Sequence, residues 1–63
     1  MTTVEELKVY VQEKIAEYPE LEGQIMDLFQ LCLDEIEDGG SVRNEIVLCM
    51  CDIEDSIEEA KQL

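Results

Sequence analysis

Apolar residues recur every three or four positions from one end of this chain to the other, and no stretch alternates strictly. That period belongs to helices, so the pattern predicts an all-α protein. A first helix is expected over about residues 3–18. Thr3 stands where an N-cap is wanted, with Glu6 in capping-box spacing, and Val4, Leu7, Val11, Ile15 and Tyr18 form an apolar stripe. Pro19 ends it, because proline drives the residue before it out of the helical region and itself suits the first position of the next helix. The second helix, over about 19–38, is apolar around well over half its circumference: Leu21, Ile25, Met26, Leu28, Phe29, Leu31, Cys32, Leu33 and Ile36. Gly39 fits the left-handed position that stops a helix, and Ser41 suits the cap of a third helix over about 42–62. The main stripe of that helix is Val42, Ile46, Cys49, Met50, Ile53, Ile57 and Ala60, with Val47, Leu48 and Cys51 lying outside it.

Helices two and three match as an antiparallel hairpin. Ile36 falls opposite Ile46, Cys32 opposite Cys49, Phe29 opposite Ile53, Ile25 opposite Ile57 and Leu21 opposite Ala60, all within one residue of a single register. A Gly-Gly-Ser turn closes the seam, and helix one is expected to pack across or beside it. The whole chain, 1–63, reads as a single small helical domain. With 63 residues it is also short, and a chain of that length hides only about 60% of its unfolded surface on folding. One short neighbouring helix cannot cover Leu28, Leu31, Leu33, Val47, Leu48 and Cys51 as well. These six are the candidate self-interface, and the expectation is a homo-oligomer, a dimer first, in which hairpins join into a helical bundle.

Charge changes the picture. The chain has 17 acids against 4 basic residues and no His, a net charge of −13. A hydrophobic share of 46% argues against a disordered acidic tail. Nucleic-acid backbones and anionic membranes carry the same sign and are excluded as direct partners, which leaves basic protein surfaces and cations. Residues 19–40 hold seven acids and no basic residue. Asp34, Glu35, Glu37 and Asp38 crowd the C-terminal end of helix two, where the helix dipole disfavours them. Asp52, Asp55, Glu58 and Glu59 extend the acidic surface on helix three. Two explanations stand side by side: recognition of a basic partner, and plain solvation of a greasy helix end.

Candidate chemistry is sparse. Asp34 to Glu45 spans the twelve positions of an EF-hand loop with Gly39 sixth, but Ile36 and Val42 stand where two oxygen ligands belong. Glu17-Tyr18-Pro19-Glu20 and Glu35-Ile36-Glu37-Asp38 resemble in letters the acidic pairs of the all-α nucleotide pyrophosphohydrolases. Such a magnesium-dependent enzyme, assembled across subunits, is the alternative function; the proline breaks the first pair, and no basic cluster is left for a triphosphate. Cys32, Cys49 and Cys51 have no His to act as base, and Cys49 and Cys51 point about 200° apart on a helix, so they cannot share a metal. No cofactor is implied, and Cys32 and Cys49 read as core. The first residues, MTTVEELKVYVQEK, hold no uninterrupted apolar signal core, and no apolar run approaches the length of a membrane span. A reducing cytoplasm with free thiols is the expected setting.

The string LCLDEIEDGGSVRNEIVLC, Leu31 to Cys49, is similar to a block found in short acidic helical proteins of marine tailed phages. The resemblance brings no activity, cofactor or site with it. It implies a viral origin, action in the cytoplasm of a bacterial host, and a small host-directed or assembly factor in preference to a metabolic enzyme. The expected function is thus non-enzymatic: a self-associating acidic helical protein that docks a basic protein surface, with imitation of DNA charge as its special case.

Overall fold

Residues 3–62, which the computed structural model describes, form three α-helices: α1 (Val4–Glu17), α2 (Glu22–Glu37) and α3 (Val42–Gln62). Thr3 caps α1 as its spacing requires. Its hydroxyl accepts the Glu6 N–H at 3.2 Å and donates to the Glu6 carboxylate at 3.0 Å. The start of α2 differs from expectation. Pro19 does not open it; Pro19–Leu21 form a 3₁₀ turn, and α2 begins at Glu22. Tyr18, held at φ −130° and ψ 68° by the proline after it, breaks the helix, and the tighter turn reverses the chain over three residues.

The turn between α2 and α3 is a Schellman motif. Gly39 N–H donates to Ile36 O at 3.1 Å and Gly40 N–H donates to Glu35 O at 2.9 Å, so two carbonyls left open by the helix end are satisfied. Both glycines are needed, for different reasons. Gly39 has φ 100°, which side chains rarely tolerate, and a Cβ on Gly40 would come within 2.8 Å of the Glu35 carbonyl oxygen. Ser41 then caps α3, its Oγ accepting the Asn44 N–H at 3.5 Å.

Tyr10 Oη donates to Glu54 Oε1 at 3.3 Å, and further along Lys61 Nζ lies 5.8 Å from the Tyr18 ring. The partners advance together along both helices, so α1 runs parallel to α3 and antiparallel to α2. The result is an up-down-up bundle measuring 36 × 18 × 18 Å. Its buried core is Leu7, Val11, Ile25, Cys32, Ile46, Cys49, Ile53 and Ile57. Of the residues expected to face each other in the seam, Ile25, Cys32, Ile46, Cys49, Ile53 and Ile57 are buried in it, and Leu21, Phe29 and Ile36 are half-buried against it; Ala60 is half-buried but does not join it. Val42, expected in the stripe of α3, is 41% exposed. It is the first residue of α3, beside the connection, where α2 has already ended.

So few fully buried side chains make each one weighty. A domain of this length has about 3–9 kcal/mol of stability, and truncating a fully buried isoleucine removes about 2–5 kcal/mol. Ile53→Ala should therefore remove a large share of the stability; urea unfolding followed by circular dichroism measures the drop.

Candidate interaction surface

Two cysteines set the spacing of the hairpin. Cys32 on α2 donates its thiol hydrogen to Glu45 O on α3 at 3.4 Å, and Cys49 on α3 donates to Leu28 O on α2 at 3.6 Å. Each small side chain reaches the other helix's backbone, so the helices sit close where the thiols meet. The longer side chains beside them, Leu28, Leu31 and Leu48, wall a surface groove of about 340 Å³. Glu35, Glu45 and Asp52 complete its lining, and no basic side chain and no residue of α1 contributes to it. Leu31 is 54% exposed and Leu48 is 55% exposed. Gln24 Nε2 bonds to Ser56 Oγ at 3.3 Å across the same pair of helices, further from the turn.

The candidate self-interface divides on this geometry. Leu28, Leu31 and Leu48 come together in the groove, whereas Leu33, Val47 and Cys51 stay outside it. Leu31 and Leu33, two residues apart, point about 200° apart around α2, and Leu33 is half-buried. Val47 is exposed and lines a separate hollow with Arg43, Asn44 and Leu48. The candidate acids Asp34, Glu35, Glu37, Asp38, Asp52, Asp55, Glu58 and Glu59 are all exposed, but only Glu35 and Asp52 of these border the groove. Glu45 is a third rim acid that the charge pattern did not single out. The signal for it was spacing: Leu28, Leu31, Cys32 and Glu35 repeat the i, i+3, i+4, i+7 pattern of Glu45, Leu48, Cys49 and Asp52.

The thiols have a structural environment. Burial, helped by Cys32 and the Asp52 charge, pushes Cys49 up to about 12. Burial and the Glu45 charge also raise Cys32, against a hydrogen bond with Cys49 that pulls it back. At neutral pH both therefore stay protonated and unreactive. The paired acids do not converge within one chain. Glu17 and Glu20 lie before α2, and Glu35 and Asp38 lie at its far end, most of the helix away, about 20 Å. The twelve positions from Asp34 to Glu45 do not form one calcium-binding loop, because α2 runs through Glu37 and α3 starts at Val42, leaving residues 38–41 as the connection. Among the described residues, no three His, Cys, Asp or Glu side chains are grouped to hold a metal ion, and no helix is long and apolar enough to cross a membrane.

The class defined by the structure is an all-α, three-helix, up-down-up bundle bearing an acid-rimmed groove. No protein-family model, curated protein or solved structure matches the chain.

Two outcomes follow from these electrostatics. Above pH 9 an unfolded chain loses thiol protons from an ordinary value of 9.0 and phenol protons from 10.0. Native Cys49 holds its proton to about 12, as does Tyr10, which burial and the Glu54 charge raise. The unfolded state then binds fewer protons than the native one, so stability falls as pH rises from about 9 toward 12. Cys49→Ala combined with Tyr10→Phe should flatten that fall in denaturant midpoints recorded against pH. The second outcome concerns the last residue of α2. Glu37→Lys should stabilise the fold by about 0.3–1 kcal/mol at low ionic strength by meeting the helix dipole. The gain should shrink with added salt in thermal melts.

Proposed function

We propose that this chain is a non-enzymatic interaction protein that docks a basic protein surface and that also self-associates. The observation carrying the first half is the groove: exposed leucines enclosed by carboxylates, with no cation in the lining. Beyond its lining, Asp34 and Glu37 on α2, Asp38 just after it, and Asp55, Glu58 and Glu59 on α3 add exposed negative charge. In the DNA-mimicking form of the proposal, these carboxylates stand in for phosphates and compete for the basic groove of a nucleic-acid-binding protein. The phage resemblance makes that protein a host one, met in the bacterial cytoplasm.

Self-association has its own support. Among the described residues eight side chains form the buried core, and a fold with so little interior gains from covering more. Outside the groove, Val9 at 54%, Met26 at 44%, Val42 at 41% and Val47 at 48% exposure offer apolar area for a second copy.

Light scattering after size exclusion, across a concentration series, should give twice the monomer mass; a monomer throughout would remove self-association from the proposal. For the docking half, a basic bacterial DNA-binding protein is loaded with labelled duplex and the chain is titrated in. Displacement should occur at low salt and fade at high salt. Equal displacement at both would rule out a charge-based contact, and none at low salt would end the mimicry.

A further inference from the structure

The groove between α2 and α3 is bounded on every side by named groups. Its floor is Cys32 and Cys49, both buried and both bonded to backbone carbonyls, so they have no thiol proton left to offer a ligand. Its walls are Leu28, Leu31 and Leu48. The rim acids are not evenly placed. Gly40 lies against both Glu35 and Glu45, so these two mark the end nearest the hairpin turn, while Asp52 lies further from it. Leu28 to Glu35 and Glu45 to Asp52 each cover seven helical steps, a length of about 10 Å. That length fits two turns of another helix and no more.

A second copy of this chain is a poor occupant. A two-fold contact brings the same patch against itself. Three carboxylates would face three carboxylates with no basic side chain on either lining, and like charges opposed in a contact disfavour it strongly. The complementary occupant has the opposite sign around an apolar centre.

We infer that this groove receives a basic amphipathic helix from a partner protein, with two apolar side chains one turn apart seated between Leu28, Leu31 and Leu48. Lysine or arginine side chains flanking those anchors meet Glu35 and Glu45 at one end and Asp52 at the other. The mode is helix-in-groove recognition. The inference rests on the docking reading above and sharpens it from a charged surface to one site. It also moves Leu28, Leu31 and Leu48 from self-association to partner binding.

The probe is a synthetic leucine–lysine peptide, long enough to be helical, about 15 residues, with its leucines at i, i+3, i+4 and i+7. A control peptide of equal composition has the leucines scattered around the helix. Binding to the full chain is followed by fluorescence anisotropy, and the site by amide chemical shifts. The amphipathic peptide should bind more tightly than the control and shift Leu28, Leu31, Leu48 and Asp52. Leu31→Ser and Leu48→Ser, at positions more than half exposed and thus compatible with folding, should each weaken it about tenfold. Circular dichroism of each variant checks the fold.

Equal binding of both peptides, unchanged by Leu31→Ser, would overturn the groove while leaving charge-based docking in place. Failure of both peptides would overturn the groove, and only a parallel failure to displace DNA would take the docking reading with it. Groove shifts that grow with protein concentration alone, and vanish in Leu48→Ser, would put a second copy there and overturn the inference.

Discussion

The connection at residues 38–41 fixes how α3 lies against α2, and most of the molecule depends on that register. A slip of one residue would turn one helix by about 100° relative to the seam. Ile46, Ile53 and Ile57 would leave the core, and the thiols of Cys32 and Cys49 would lose the carbonyls they now reach. Two different demands hold the register in place. Gly39 supplies a backbone angle that side chains resist, and Gly40 leaves room beside a carbonyl oxygen. With its ends set, the hairpin meets α1 through Leu7 and Val11, and the bundle closes.

The parts of the fold that were readable in the chain are those governed by period and punctuation. Thr3, Gly39 and Ser41 mark helix ends by local chemistry, and the burial of Ile25, Cys32, Ile46 and Ile57 in one core follows from spacing alone. Pro19 misled because proline is compatible with two local structures, and the need to reverse direction between antiparallel helices selected the tighter one. Val42 misled because periodicity assigns a side of the helix but not whether anything lies over it. The groove was half visible: its leucines stood out as surplus apolar residues, but Leu33, Val47 and Cys51 stood out equally. Separating them takes the packing of α2 against α3 in three dimensions, because the groove is lined by those two helices alone. Glu45 was overlooked because it sits alone in sequence, apart from the acidic run, and gains its meaning only across the seam from Glu35.

Charge and fold pull against each other here. Acids at the end of α2 oppose its dipole, and a net charge of −13 on so small a body repels itself at every separation within a Debye length. Basic groups offer little relief: half-buried Lys14 pairs with exposed Glu17 at 3.8 Å and lies over Tyr10, while Lys61 lies over Tyr18. A surface pair of that kind is worth about 0–1 kcal/mol. A cationic partner of the kind proposed would relieve that repulsion, so binding and folding would draw on the same electrostatic term.

Cys51 shares a helix with Cys49 but faces water, two residues being enough to turn a side chain to the far flank. Its neighbours in the seam are shielded by burial, so an alkylating dye or spin label would enter at this one position of the described surface. It lies outside the groove lining but three residues from Leu48, one turn along the same helix, so the molecule has a built-in place for a reporter beside the groove without filling it. The same sulfur could also couple two molecules in air, and a covalent pair formed that way would imitate an assembly that reductant dissolves.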